Sequence, residues 1–131
     1  ETRSALRDGW LYTGDIGYVD DEGFLFLVDR KKEMVIVGGY NVYPREVDEV
    51  LFKHPKIREA ATVGRPDKRY GEVLVAFVVL ARGQTLTEDE FFAYCKEEMV
   101  KYKRPVEVRF VDALPKTGTN KINRIALRAM L

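Results

Sequence analysis

The spacing of apolar residues changes several times along this chain, and each change marks an element. Residues 1–7, "ETRSALR", carry the pattern of a helix end, stopped where Gly9 in "RDGW" provides a turn. In "IGYVDDEGFLFLVDR" apolar residues flank an Asp-Asp-Glu-Gly turn, which predicts a β-hairpin with residues 24–28 as its second strand. "EMVIVGGYNVY" predicts a second hairpin, because Gly38 and Gly39 adopt the positive φ angles of a tight turn without steric cost. The charged connector "DRKK" at residues 29–32 separates the two hairpins and is where a domain boundary is expected. Pro44 then suits the first turn of a helix in which Val47, Val50 and Leu51 recur at helical spacing until His54-Pro55 stops it.

Beyond this helix the period shortens again. "EAATVGRP" reads as a short strand, "RPDKRYGE" as a polar loop, and "VLVAFVVLA" at residues 73–81 as a buried strand, both strands belonging to a central sheet. A helix over residues 88–100 has a strong start signal: Thr87 with Glu90 makes a capping box, and Leu86 with Phe91 is spaced as a hydrophobic staple. Phe91, Cys95 and Met99 then line one face. Val106, Val108 and Phe110 alternate as a further strand, and a terminal helix carries Ile122, Ile125, Ala126, Ala129 and Met130. This order predicts an α+β fold, a small sheet with packed helices preceded by β-hairpins, rather than a doubly wound parallel sheet.

Composition narrows the function classes. At 131 residues the chain can hold one domain with a real core and a leftover piece of another, and 46% hydrophobic with 33% charged residues describes a globular rather than a disordered or fibrous protein. Its 22 basic and 21 acidic residues leave a net charge of +1, so no large field draws it to nucleic acid or an anionic membrane. The longest apolar run is far short of the roughly 20 residues of a membrane helix, and the polar first residues are no signal peptide. A single cysteine excludes an internal disulfide and fits a reducing, cytoplasmic setting. The absence of an initial Met suggests a chain cut from something longer. One His and one Cys offer no metal-ligand pair and no nucleophilic triad, so His54 reads as a helix-end residue and Cys95 as core. Neither the Rossmann glycine fingerprint nor a Walker loop can be written on the sequence.

Three polar, glycine-bearing clusters remain: "YTGD" at residues 12–15, "DRKKEMVIVGGYNVYP" at 29–44 and "PKTGTNKI" at 115–122. Singly, each has a purely structural reading. Asp15 caps a turn beside Gly14, Lys31 and Lys32 are solvated linker charges, Gly38-Gly39 is only a hairpin, and Lys121 is a surface lysine before a short helix. Together and in this order they resemble the C-terminal portion of the adenylate-forming superfamily, which includes acyl-CoA synthetases, adenylation domains of peptide synthetases and beetle luciferases. The resemblance covers essentially the whole chain, from "GWLYTGD" to "NKINR". Within the superfamily "VGGYNVYPREVD" is similar to acyl-CoA synthetases, whereas peptide-synthetase domains usually differ after the glycines.

The resemblance implies roles. Asp15 matches the aspartate that holds the ribose hydroxyls of ATP, a task for which a carboxylate, accepting two hydrogen bonds, is suited. Arg30 matches an arginine contacting the same ribose region. Lys32 matches the hinge about which the small domain turns. Gly38, Gly39 and Tyr40 match the loop that approaches the pantetheine channel of coenzyme A, and Lys121 the lysine that enters the active site for adenylate formation. Where family members usually carry glycine before that lysine, this chain has Asn120, which tolerates left-handed backbone angles better than most residues. Residues 1–29 would then be the tail of a large N-terminal adenylation domain, and 30–131 the mobile C-terminal domain.

The implied reaction is acid:CoA ligation through an acyl-adenylate, with ATP and Mg2+, coenzyme A and a small carboxylic acid as partners, together with the chain's own N-terminal domain. No nucleic-acid partner and no membrane span are implied. The chain alone is expected to be inactive, because the phosphate loop and acid pocket belong to the large domain. Two rivals lie within the superfamily, a peptide-synthetase adenylation domain and a luciferase-like enzyme. A rival of another class is a free-standing α+β binding module using its basic C-terminal half, against which the near-neutral charge and the lack of interleaved aromatic and basic residues count.

Overall fold

The computed structural model describes the backbone of residues 6–7, 10–11, 15–19 and 25–30 and the whole chain from residue 33 to 131. Near the start, β1 (Leu6–Arg7) pairs antiparallel with β2 (Trp10–Leu11), Leu6 opposite Leu11. Residues 6–7 are therefore strand, not the helix end that their composition suggests. Asp-Gly at residues 8–9 is a hairpin signal, and cross-strand pairing overrides the weak helix propensity of so short a segment.

The next hairpin joins β3 (Asp15–Val19) to β4 (Leu25–Arg30), with Asp15 opposite Arg30 and Val19 opposite Leu25. The second strand runs through Asp29 and Arg30, so half of the charged connector belongs to the ladder. Lys31 and Lys32 lie outside the described residues, as does the turn between the strands. The following hairpin, β5 (Val35–Val37) and β6 (Tyr40–Val42), turns on Gly38 at φ 56° and Gly39 at φ 88°. Positive φ at both central residues is the type I′ signature, which matches the twist of the flanking strands.

Helix α1 (Pro44–Phe52) buries Pro44, Val47 and Leu51 and ends before His54-Pro55. His54 keeps the structural role expected of it: its Nδ1 accepts from the Lys56 N–H at 3.0 Å, and its ring meets Tyr94 edge-on with centroids 4.8 Å apart.

The centre of the molecule is the long hairpin of β7 (Ile57–Asp67) and β8 (Gly71–Leu80), in register from Glu59 opposite Val79 to Asp67 opposite Gly71, with a shift before Ile57 meets Leu80. The expected polar loop is mostly strand. Only residues 68–70 turn, held by Asp67 Oδ2, which accepts from the N–H groups of Arg69 and Tyr70 at 2.9 and 2.8 Å. Polarity misleads here because backbone pairing continues past the point where the side chains leave the core.

The five-stranded sheet runs β6-β5-β8-β7, with β9 (Glu107–Phe110) added parallel to β8. Strand β8 thus pairs with β7 along one side, and with β5 at Gly71 and β9 from Val75 to Val78 along the other. Its side chains alternate between two cores. Leu74, Ala76 and Val78 face Val47, Leu51, Phe91 and Cys95, whereas Val75, Phe77 and Val79 face Leu114 and Leu127. A strand covered on both faces needs an unbroken apolar run, which is what residues 73–80 supply.

Helix α2 (Glu88–Glu98) packs on the first core. Thr87 Oγ1 accepts from the Glu90 N–H at 3.1 Å, and the Tyr94 hydroxyl donates to the Val50 carbonyl at 2.6 Å, tying α2 to α1. Phe91, Cys95 and Met99 are buried as their spacing predicts. The second core is closed by α3 (Arg124–Ala129). Here the sequence pattern misassigns the inward face: Ile125 is 72% and Met130 47% exposed, while Leu127 is fully buried. A helix of six residues presents a single fully buried position, and packing against Val63 and Phe77 selects Leu127 for it. Of the alternating trio Val106, Val108 and Phe110, Val106 precedes β9 and only Val108 is buried, the other two being exposed.

Two substitutions separate these assignments. Leu127→Ala should destabilise the chain by about 2–5 kcal/mol, the usual cost of truncating a buried leucine, and Ile125→Ala by less than about 0.5 kcal/mol. Urea unfolding measures both.

Candidate functional site

The loop that carries Lys121 is closed at its base and open at its tip. Lys116 and Ile122 form an antiparallel bridge, Asn123 N–H donates to the Pro115 carbonyl at 2.8 Å, and Ile122 packs on the second core. Within the loop Thr117 N–H donates to the Lys121 carbonyl at 2.7 Å, Asn120 N–H to the Thr117 carbonyl at 2.9 Å, and Lys121 N–H to Thr117 Oγ1 at 3.3 Å. Asn123 Oδ1 then caps α3 by accepting from Ala126 N–H at 3.0 Å.

The two lysines of the loop differ. Lys116 Nζ is tied to Glu59 Oε1 at 2.6 Å. Lys121 is exposed, and its ammonium has no hydrogen-bonding or ion-pair partner among the described residues. The backbone at Lys121 is therefore fixed while its charge is left available.

Behind the loop, the Arg124 guanidinium donates to Asp48 Oδ2 of α1 at 2.6 Å and to the carbonyl of Thr62 in β7 at 2.7 Å. Side-chain exposures of 12% and 13% place this ion pair in the interior. Burial pushes the Asp48 carboxyl above its ordinary range, opposed by the charge and hydrogen bond of Arg124 and more weakly by Thr62. Asp48 Oδ1 and the nearby Thr62 Oγ1 meet no hydrogen-bonding geometry among the described residues. Ile122 and Arg124 also line an open cavity of about 490 Å³ with Asp48, Phe52 and Lys53.

The Gly38-Gly39 turn occupies another part of the surface. Gly38 N–H donates to the Tyr70 carbonyl at 2.9 Å, Ile36 N–H to Glu72 Oε1 at 3.2 Å, and the Tyr40 ring stacks on Tyr102 at 4.2 Å with 10° between planes. A cavity of about 460 Å³ opens beside it, lined by Gly38, Tyr40, Tyr70, Tyr102 and Arg104. Arg104 is already engaged, since its Nε donates to the Met99 carbonyl at 2.8 Å and its Nη2 to that of Lys96 at 3.2 Å, at the C-terminus of α2. No hydrogen bond among the described residues joins this turn to Lys121, and the two cavities share no lining residue. Asp15 and Arg30 face each other as backbone partners at one end of the β3–β4 ladder, and Lys32 lies outside the described residues.

Residues 46–121 match the family of the AMP-binding enzyme C-terminal domain. The chain belongs to this family. It is 49% identical over 130 residues to a 2-succinylbenzoate–CoA ligase of Bacillus cytotoxicus, covering 99% of this chain and 27% of that protein. It is 48% identical over 124 residues to a long-chain-fatty-acid–CoA ligase of Bacillus subtilis, covering 95% and 22%. Among solved structures, the o-succinylbenzoate CoA synthetase of Bacillus subtilis, in complex with its acyl-adenylate intermediate, superposes with a TM-score of 0.89 at 42% identity, over 96% of this chain and 26% of that one. The chain thus spans about a quarter of the length of these relatives.

In this AMP-binding enzyme C-terminal domain, sequence reading located the lysine loop and the glycine turn but missed what holds them. Arg124 was not singled out, because its partners lie 62 and 76 residues away and leave no local pattern. Tyr70 and Tyr102 were missed for the same reason. Asn120 has a direct explanation: its φ is 63°, positive as for no other non-glycine among the described residues. The position requires glycine or the residue that best tolerates its absence. Among the described residues no group of three or more His, Cys, Asp or Glu is arranged to hold a metal, and no helix is long and apolar enough to cross a membrane. The buried Cys95 thiol is pushed up to about 12 by desolvation.

Asn120→Gly should therefore leave stability unchanged within about 0.5 kcal/mol, while Asn120→Val should cost about 1–2 kcal/mol. Thermal unfolding, with amide exchange at Lys121, reads the difference. Cys95 should resist a thiol-specific reagent in the folded domain up to about pH 10 and react promptly in denaturant. Rapid native labelling would contradict its burial.

Proposed function

We propose that this domain is the mobile C-terminal part of a cytoplasmic acid:CoA ligase that forms an acyl-adenylate and then an acyl-CoA thioester, releasing AMP and pyrophosphate. The observation that carries the reading is Lys121, whose ammonium has no partner among the described residues, on a loop whose backbone is closed by hydrogen bonds. Membership of the family and the ligase names of its relatives supply the reaction class.

In the first half-reaction a carboxylate attacks the α-phosphate of ATP, and negative charge concentrates on the phosphoryl oxygens of the transition state. Lys121, brought out of water against that charge, stabilises it more than the ground state. Its backbone is already ordered, so little conformational entropy is lost when the loop engages. In the second half-reaction a thiol must reach the acyl carbon, and Lys121 has to withdraw. Rotation about Lys32 would remove it and present the Gly38-Gly39-Tyr40 turn to the pantetheine arm of coenzyme A. The separation of the two surfaces around one sheet supports this division.

Asp15 and Arg30 would hold the ribose of the nucleotide. Their backbone pairing puts both residues at one end of one hairpin, compatible with a shared ligand. Residues 1–29 would belong to the large domain and 30–131 to the lid. Mg2+ would travel with the phosphates of ATP, bound mainly by the large domain, which would also select the acid. Near-equal identity to a succinylbenzoate ligase and a fatty-acid ligase supports that last point, since this domain hardly distinguishes them.

In the full-length enzyme Lys121→Ala should slow adenylate formation about 100- to 1,000-fold, roughly 3–4 kcal/mol, and leave thioester formation from supplied acyl-adenylate within about twofold. Equal loss in both half-reactions would refute the division of labour. Transfer to a carrier domain but not to free coenzyme A would favour the peptide-synthetase reading.

A further inference from the structure

Arg124 stands three residues after Lys121 and fastens the base of the lysine loop to α1 and β7 through polar contacts in the interior, beside the more exposed Lys116–Glu59 pair. One guanidinium nitrogen donates to Asp48 of α1, the other to the free edge of β7 at the Thr62 carbonyl. The fork geometry is specific to arginine: a lysine ammonium offers one point of charge and cannot span a carboxylate and a carbonyl in fixed orientation. Between Arg124 and Lys121 lie only Asn123, which caps α3 and bonds back to Pro115, and Ile122, which is bridged to Lys116 and packed on the core. Both intervening residues are therefore bonded or packed between the anchored residue and the proposed catalytic one. Asp48, with a side-chain exposure of 13%, is a carboxylate held inside the fold at a cost in solvation. An apolar pair would fill the same space without that cost. The ion pair therefore invites an explanation other than stability.

We infer that the buried Arg124–Asp48 pair is a positioning device for the adenylation half-reaction, setting where Lys121 emerges from the domain. This rests on the proposed role of Lys121. The two guanidinium bonds fix the orientation of the first turn of α3 relative to α1 and β7, and through Ile122 they fix the exit of the Lys121 side chain. Loss of the fork leaves the charge on Lys121 intact and lets its position spread. A displacement of about 1 Å at such a group can cost up to about 100-fold in rate. The Gly38-Gly39 turn shares no bond with the pair, so thioester formation is insensitive to it.

The test uses the full-length enzyme with both half-reactions assayed separately. Arg124→Lys should lower kcat for adenylate formation at least tenfold with little change in the KM for ATP, and leave thioester formation from supplied acyl-adenylate within twofold. Because Arg124→Lys alone can loosen the fold, a second variant, Asp48→Leu with Arg124→Met, removes both charges together. It should keep the melting temperature of the parent yet show the same selective loss. In a Lys121→Ala background, Arg124→Lys should change adenylate formation less than twofold further, since the group it positions is gone. Equal loss in both half-reactions, full activity of the charge-free double variant, or multiplicative effects of Lys121→Ala and Arg124→Lys would each overturn the inference. If Lys121→Ala itself spares adenylate formation, the reading of Lys121 fails and the inference with it; if it does not and Arg124→Lys is silent, only the inference fails.

Discussion

Everything in this domain is arranged around the burial of β8 on both of its faces. A strand has only two faces, and here each is given a separate core: α1 and α2 lie against Leu74, Ala76 and Val78, while the segment from Leu114 to Leu127 lies against Val75, Phe77 and Val79. Side chains of this size contribute about 1.5–3 kcal/mol each when fully removed from water, so the strand cannot be left exposed on either side. It must also be paired along both edges, and β7 supplies one while β5 and β9 divide the other. The short C-terminal helix is held by this constraint rather than by its own propensity, because six residues are too few to be helical alone.

Two consequences follow for the loops. The segment that covers the second core has to cross the sheet, and the lysine loop is the part of it that projects. Its ends are bridged, Ile122 is drawn inward, and Asn120 accepts a left-handed backbone so that the chain can turn. The Gly38-Gly39 turn arises at β5, where the sheet meets the β7–β8 turn, and is held there by the carbonyl of Tyr70 and the carboxylate of Glu72. Gly64 belongs to the same arrangement: a Cβ on it would lie 2.7 Å from Glu72 Oε2 and 2.9 Å from Val35 Cγ2. Different parts of one sheet and its two cores thus carry the two loops.

Much of this was legible in the linear pattern. The glycine turn, α1, the capped start of α2 and the apolar run of β8 rest on residues close together in the chain, where steric limits on φ, capping and periodicity act directly. Other features were not. The ladder of β7 and β8 extends through Arg65, Pro66 and Asp67, whose polarity suggested a loop, because strand ends outlast the core they border. Residues 6–7 read as helix and form a strand, since pairing with Trp10 and Leu11 is stronger than local preference. In α3 the inward residue is Leu127 and not Ile125, a choice made by the shape of the surface that receives it.

The sequence by itself determined the family of the chain and the position of Lys121 on a turn, because glycine, asparagine and proline restrict the backbone wherever they stand. It also determined that β8 had to be enclosed, since no other element is so uniformly apolar. What only the tertiary structure decided is which groups surround those features. Arg124 reaches Asp48 and Thr62 across 76 and 62 residues, and Tyr40 meets Tyr102 because the sheet brings β6 against the turn after α2. Pairing at such separations depends on distance in space, and no periodicity along the chain encodes it.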